Sequence, residues 1–159
     1  MTISVGDRLP PATLVKVTPE GPEQVDTESY FAGRTVALFA VPGAFTPTCS
    51  AKHLPTYLEH GDALRAKGVD EIACTAVNDA FVLDAWAKAT AAEGITMLAD
   101  GNGTFAEALG LSGDSSRFGM GTRSKRYAML VEDGVVRQLH VEEGGAFEVS
   151  SADNLLAGL

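Results

Sequence analysis

The side chain with the clearest chemical potential in this sequence is the thiol of Cys49. An apolar, β-branched stretch at residues 35–41 predicts a buried strand before it, and residues 50–60 predict a helix after it. A thiol at such a junction lies at the positive end of the helix dipole, beside backbone N–H groups that have no partner within the helix. Both features favour the thiolate, which is the nucleophilic form of cysteine. The sequence therefore predicts a reactive sulfur at Cys49.

Three neighbours in the same loop indicate how the sulfur is used. Thr46 precedes Cys49 by three residues, so its hydroxyl can reach the sulfur across one helical turn and can donate or accept a hydrogen bond. Pro42 and Pro47 lack a backbone N–H and stiffen the loop. We expect both prolines to pack over the sulfur and to limit its contact with water.

The run from Pro42 to Ser50, P-G-A-F-T-P-T-C-S, resembles the active-site loop of the peroxiredoxins. Its A-F-T-P-T-C-S form is similar to the type II, or peroxiredoxin-five-like, subfamily, and the likeness continues through residues 77–82 and 123–127 to the C-terminus. The resemblance implies a thiol peroxidase that reduces hydrogen peroxide and alkyl hydroperoxides through a cysteine sulfenic acid. It also implies that Pro42, Thr46 and Cys49 are catalytic.

The resemblance extends to a cation. Peroxidase chemistry needs a positive charge near the sulfur, and arginine keeps its charge. The segment 123–127, R-S-K-R-Y, is similar to the family segment that carries this arginine, and Arg126, directly before the aromatic residue, matches it. An arginine in a strand otherwise usually faces solvent. Arg123 is the second candidate, in a supporting or interface role.

Cys74 has two interpretations. It lies within a predicted strand at residues 71–77, which suits a small core residue. It also follows Cys49 by twenty-five positions, the spacing at which type II relatives often carry a resolving cysteine, and the C-terminal residues 147–154 contain no cysteine that could replace it. A Cys49–Cys74 disulfide would require local unwinding. We favour a cycle with one essential cysteine, reduced from outside by glutaredoxin with glutathione or by thioredoxin.

The remaining aromatic and histidine side chains have structural interpretations first. His53, His60 and His140 are expected to be solvated or hydrogen-bonded without a catalytic task. Phe45, Phe118 and Trp86 are expected to pack, although in the resembled family aromatics beside the active loop also line a homodimer interface. Phe45 and Phe118 are therefore candidates for a dimer contact.

Composition limits the function classes. The chain has 159 residues, of which 45% are hydrophobic and 21% charged, which predicts one domain over residues 1–159. The net charge of −9 argues against nucleic acid or an anionic membrane as partner. No apolar run approaches the ~20 residues that span a bilayer, and the N-terminus lacks the pattern of a secretory signal. With two cysteines and no zinc-type or phosphate-binding motif, we expect a cytoplasmic protein without metal or cofactor.

Alternating strand and helix patterns predict an α/β protein with a central mixed sheet flanked by helices, and the resemblance implies the thioredoxin-like version of it. Strands are predicted at 13–17, 35–41, 71–77, 95–99, 125–132 and 135–141, and helices at 50–60, 80–92, 104–109 and after Ser151 or Asp153. Asp133-Gly134 predicts a hairpin between the last two strands. Residues 113–121, rich in Gly and Ser, predict a flexible connection.

Two other functions remain open on the sequence. A thiol–disulfide oxidoreductase of the same fold would need two thiols at C-x-x-C spacing, and Thr46 occupies the first of those positions. A redox sensor would be oxidised at Cys49 once, without turnover.

Overall fold

The computed structural model describes residues 2–159, and within them the predicted central mixed sheet with flanking helices is confirmed. The nine strands of this described part are β1 (Thr13–Thr18), β2 (Gly21–Asp26), β3 (Thr35–Ala40), β4 (Glu71–Ala76), β5 (Ile95–Ala99), β6 (Ser112–Asp114), β7 (Thr122–Ser124), β8 (Tyr127–Glu132) and β9 (Val135–Val141). The five α-helices are α1 (Thr27–Phe31), α2 (Leu54–Ala66), α3 (Ala80–Ala89), α4 (Thr104–Leu109) and α5 (Ala152–Ala157), with a π-helix at Cys49–His53 and a 3₁₀-helix at Ser116–Phe118.

Seven strands form the main sheet, in the order β2-β1-β5-β4-β3-β8-β9. The three central strands β3, β4 and β5 run parallel, whereas β8 pairs antiparallel with β3 and β1 antiparallel with β5. Parallel strands in the middle of a sheet are covered on both faces, which explains why β3 and β4 are almost continuous apolar runs.

Each face of the sheet has its own apolar core. In β3, Phe39 points to one face together with Cys74 of β4, and Leu38 points to the other. Helices α2, α3 and α5 cover the first face, and α1 and α4 cover the second. The first core lies beneath Cys49, which is itself one of its members.

The hairpin between β8 and β9 forms where the sequence predicts it. Asp133 and Gly134 both have positive φ angles, 50° and 78°, as a two-residue hairpin turn of this handedness requires. Asp133 also accepts a hydrogen bond from the Gly33 N–H at 2.7 Å, which ties this turn to the end of α1.

The prediction for residues 113–121 is wrong. Instead of a flexible connection, β6 and β7 form a small antiparallel hairpin, with the 3₁₀-helix between them. Asp114 accepts a hydrogen bond from the Ser116 N–H at 2.9 Å, and the Ser115 N–H donates to Gly121 O at 2.7 Å. These local bonds order a Gly- and Ser-rich segment that has little apolar patterning.

The sequence pattern also did not predict β2 and α1. Strand β2 contains Gly21, Pro22 and mostly polar residues, and its backbone pairs on one side with β1 at the edge of the sheet. Proline is tolerated at such an edge because its missing N–H would face outward. Within residues 2–159, no helix combines the length and the hydropathy that crossing a bilayer would demand.

Candidate active site

Cys49 lies where the chain leaves β3 and turns into a helix. It opens the π-helix Cys49–His53, in which the Leu54 N–H donates to the Cys49 carbonyl five residues earlier. Pro55, in the first turn of α2, has no N–H to donate, which suits a wider turn just before it. The helical segment that was predicted for residues 50–60 therefore begins with a π turn and continues to Ala66. Single π turns inside helices are frequent at functional sites.

The guanidinium of Arg126 lies against the sulfur. Its Nη2 donates to Cys49 Sγ at 3.1 Å, and both side chains are buried. Arg126 immediately precedes β8, whose first residue Tyr127 pairs with Ala40 at the end of β3. The antiparallel register thus brings Arg126 to the end of the sheet at which the Cys49 loop begins.

A second nitrogen of Arg126 contacts His53. Arg126 Nη1 lies 2.9 Å from His53 Nδ1, and His53 Nε2 lies 2.9 Å from the carbonyl oxygen of Ser150. Burial and the adjacent charge of Arg126 lower the pKa of His53 to about 3. The sequence predicts a solvated or hydrogen-bonded histidine here but not its contact with Arg126, because only the tertiary fold brings residues 53, 126 and 150 together.

The Thr46 hydroxyl donates to the Gly43 carbonyl at 2.6 Å, so its hydrogen is directed at the loop backbone and not at Cys49. Its oxygen keeps lone pairs for accepting a hydrogen bond. Pro42 is half-buried in the same loop, and the Ala44 N–H is held by Asn78 Oδ1 at 3.0 Å. Phe45 has a positive φ of 66°, a conformation that bulky residues rarely adopt.

Arg123 and Trp86 make hydrogen bonds in the surroundings of the Cys49 loop. Arg123 Nε donates to Met120 O at 2.9 Å and its Nη1 to Val77 O at 3.1 Å. The indole N–H of Trp86 donates to Ser50 Oγ at 3.0 Å, which joins α3 to the residue after Cys49. The Trp86 side chain is fully buried, as expected for a packing residue.

Cys74 lies in β4, between β3 and β5, with Phe39 and Met97 as its register partners. Both cysteines are free thiols. Burial raises the pKa of Cys74 well above its ordinary value, and the nearby Cys49 adds to this effect. A cysteine held in this state is a poor nucleophile in the folded protein.

The other two histidines lie outside the site. His60 is 3.2 Å from Asp153 near the surface, and His140 contacts Gln138 at 2.9 Å. In residues 2–159, no three His, Cys, Asp or Glu side chains are grouped as a metal ion would require. The side chains that the fold brings together thus provide a sulfur, a cation that faces it, and a hydroxyl in the same loop.

Comparison with known proteins assigns this arrangement to a family. The Redoxin family model matches residues 4–156. The chloroplastic peroxiredoxin-2E-2 of rice (Oryza sativa subsp. japonica) is 51% identical, over 99% of this chain and 73% of its own length. Chloroplastic peroxiredoxin-2E of Arabidopsis thaliana is 49% identical, over 99% and 70%. The crystal structure of reduced Prx3 from Vibrio vulnificus in complex with hydrogen peroxide has a TM-score of 0.95 and 54% identity, with 98% of each chain covered.

These relatives correct one prediction. A cytoplasmic protein was predicted from the sequence, but the rice and Arabidopsis relatives are both chloroplastic. This comparison contradicts the expected location. The absence of a recognisable signal pattern in the sequence was not positive evidence for the cytoplasm.

The fold and the type II peroxiredoxin resemblance are confirmed by the same comparisons, since the identities of about half extend over nearly the whole chain. The chain belongs to the Redoxin family, within it to the type II peroxiredoxins, and it is a thiol-dependent peroxidase that acts on peroxides.

Proposed function

We propose that Cys49 is the cysteine that attacks the peroxide. Its thiolate forms a bond to one peroxide oxygen while the O–O bond breaks, so the sulfur is oxidised to a sulfenic acid. The second oxygen leaves with the bonding electron pair and takes up a proton, as water or as an alcohol. The observation that carries this proposal is the buried contact of 3.1 Å between Arg126 Nη2 and Cys49 Sγ. A permanent cation at that distance stabilises the thiolate before the attack.

Negative charge builds on the leaving oxygen as the O–O bond breaks, so groups aimed at that oxygen lower the barrier. The Arg126 guanidinium and the backbone N–H of Cys49 are the donors that we assign to this task. Thr46 Oγ1, whose own hydrogen goes to Gly43, can accept a hydrogen bond from the peroxide O–H. Pro42 stiffens the loop and helps to keep bulk water from the sulfur. The Vibrio vulnificus relative solved with hydrogen peroxide supports binding of such a substrate on this fold.

Reduction of the sulfenic acid requires a thiol. The thiol sulfur bonds to Cys49 and water leaves, and a second thiol then releases the Cys49 thiol and carries away a disulfide. Cys49 is fully buried in the structure, so the π-helix must open locally before a thiol larger than a peroxide can reach it. We assign this reduction to glutaredoxin with glutathione, or to thioredoxin.

Cys74 is not needed in this cycle. It lies in a central strand with partners on both sides, and its raised pKa keeps it protonated. We propose that it is a core residue, and that it pairs with Cys49 only after local unfolding.

We further propose that residues 1–159 act as one thioredoxin-like unit within a homodimer. Phe45 and Phe118 are 56% and 71% exposed, an unusual exposure for large aromatics. Their loops are neighbours, because the methyl end of Met120 packs against Gly43. Two exposed phenylalanines on adjoining loops beside the site give a second copy an apolar contact.

Peroxide consumption tests the proposal directly. The protein is assayed with hydrogen peroxide and an alkyl hydroperoxide, with the glutathione/glutaredoxin and thioredoxin systems in parallel. We expect turnover with at least one system and none for Cys49→Ser. A single stoichiometric oxidation of Cys49 without turnover under both systems would instead indicate a redox sensor, and reduction of insulin disulfides would indicate a thiol–disulfide oxidoreductase.

A further inference from the structure

The buried His53 has no part in the mechanism above, although it contacts the residue that faces the sulfur. We propose that His53 is a positioning residue for the peroxidase reaction: a neutral acceptor that holds the Arg126 guanidinium against Cys49 without cancelling its charge. The inference rests on the proposed role of Arg126. It adds a residue that acts only through that arginine.

The hydrogen-bond partners of the imidazole decide which ring nitrogen carries the hydrogen. A carbonyl oxygen can only accept, so His53 Nε2, at 2.9 Å from Ser150 O, must carry the N–H. Nδ1 is then unprotonated in the neutral ring and accepts from Arg126 Nη1 at 2.9 Å. Arg126 therefore bonds His53 through one guanidinium nitrogen and Cys49 Sγ through another, which fixes both the position and the plane of the guanidinium group.

A neutral acceptor has a specific advantage at this point. A carboxylate in the place of His53 would bind Arg126 more tightly, but its charge would offset the positive charge that the Cys49 sulfur needs. The titratable or charged groups around His53 and Arg126 are Cys49, Cys74, Tyr57 and Glu142. The charge of Glu142 has only a weak effect on the pKa of His53. Burial and the Arg126 charge oppose protonation of His53, so the ring stays neutral where thiol chemistry operates.

The loop after β9 holds the histidine in place. Glu142 accepts hydrogen bonds from the backbone N–H groups of Glu148, Val149 and Ser150 and from the Ser150 hydroxyl, at 2.6 to 3.0 Å. These bonds set the Ser150 carbonyl, which also accepts from the Tyr57 hydroxyl at 3.0 Å. The Glu142 N–H donates in turn to Arg126 O at 2.9 Å, so the same loop is tied to the arginine backbone.

Aromatic packing restricts the ring further. The His53 ring centroid lies 5.0 Å from that of Phe39, 5.7 Å from Tyr57 and 5.2 Å from Phe147. These contacts come from strand β3, from helix α2 and from the loop after β9, and they leave the imidazole little freedom to rotate. Its Nδ1 lone pair is therefore directed at Arg126 before any substrate arrives.

Two amide substitutions separate the two hydrogen bonds. The oxygen of an asparagine lies about as far from the backbone as Nδ1 and can keep the acceptor for Arg126. The amide of a glutamine reaches about as far as Nε2 and can keep the donor to Ser150. Peroxide oxidation is followed by stopped-flow fluorescence of Trp86, the single tryptophan, whose N–H is bonded to Ser50 beside Cys49. The rate constant is measured as a function of pH.

We expect His53→Gln to react roughly tenfold or more slowly, with the pH midpoint of the reaction moved upward, because a displaced guanidinium stabilises the thiolate less. We expect His53→Asn to stay close to the wild type in both rate and midpoint. His60→Gln is the matched control, since His60 lies outside the site, and it should change neither. Wild-type rates and midpoints in both His53→Gln and His53→Leu would overturn the proposal. So would an equal slowing of the Gln and Asn variants without any shift of the midpoint, because a purely structural role predicts that result.

The wild-type protein provides a test that does not depend on folding of the variants. We expect ¹⁵N NMR of the histidine ring to show hydrogen on Nε2, none on Nδ1, and no titration of His53 between pH 5 and 8, a window above its lowered pKa. Hydrogen on Nδ1, or titration inside that window, would overturn the proposal. Failure of the proposed function is distinguishable, since it would appear as unchanged oxidation of Arg126→Met.

Discussion

Arg126 Nη2 donates to Cys49 Sγ at 3.1 Å across a sequence separation of 77 residues, and both side chains are buried. In this environment little water screens the guanidinium from the sulfur, so the cation acts on the thiolate at close range.

Replacing Arg126 by methionine should slow sulfenic acid formation by about 10- to 150-fold, the effect of losing a hydrogen bond to a charged group worth about 1.5–3 kcal/mol. Arg126→Lys should fall between this variant and the wild type, because lysine keeps the charge but cannot bond His53 and Cys49 with one planar fork. Stopped-flow oxidation measures both. Equal rates for Arg126→Met and wild type would show that Arg126 is not the activating cation.

Cys49→Ser should lose all peroxidase activity and keep the fold, because a serine hydroxyl is not ionised at neutral pH. Circular dichroism confirms folding, and peroxide consumption measures activity. Turnover by the folded variant would contradict the assignment of Cys49 as the peroxidatic residue.

Cys74→Ser should keep turnover with an external thiol system, because Cys74 is buried in β4 and has a raised pKa. Intact mass spectrometry after one equivalent of peroxide should show a gain of one oxygen in the wild type. A loss of two hydrogens, together with an inactive Cys74→Ser variant, would instead establish Cys74 as the resolving thiol.

Phe45→Glu or Phe118→Glu should convert a homodimer to monomers, since a charge would replace an apolar contact on each copy. Phe81→Glu is the matched control, because Phe81 is 74% exposed but lies on α3. Light scattering at high micromolar concentration measures the mass. A wild-type monomer, or a dimer that survives both substitutions, would count against this interface.

Glu142 should contribute stability that depends on pH. Burial would raise its pKa, but hydrogen bonds from the Ser150 hydroxyl and from the N–H groups of Glu148, Ser150 and Val149 outweigh burial and hold the pKa below the ordinary 4.5. The stabilisation is therefore fully present above pH 4.5 and is lost as the pH falls through the lowered value.

Glu142→Gln should consequently lower the free energy of unfolding by about 2 kcal/mol at pH 7, and the difference from wild type should shrink in acid. Urea unfolding at several pH values measures it. Glu143→Gln is the control, since the Glu143 side chain is exposed and it is the backbone carbonyl of this residue that accepts a hydrogen bond, from the Ala146 N–H at 3.1 Å. A difference that does not change with pH would show that the carboxylate charge is not responsible.

Much of the fold could be predicted from local patterns. Strand β5, helix α4 and the turn at Asp133-Gly134 lie where periodicity, helix-ending glycine and hairpin signals place them. Strand β2 could not be predicted in this way, because its polar sequence is ordered by pairing with β1. The hairpin of β6 and β7 was missed because backbone hydrogen bonds, and no apolar pattern, define it.

The sequence by itself was enough to predict a reactive sulfur at Cys49, since Pro42, Thr46 and Cys49 lie within eight residues of one loop. It named Arg126 only through resemblance, because no local rule places residue 126 beside residue 49. The register of β8 against β3 decided that contact, and the loop after β9 brought Ser150 to His53. Local propensities act over a few residues. The hydrogen-bond partners of a buried charge such as Arg126 come from distant segments of the chain, and only the tertiary structure specifies which segments pack together.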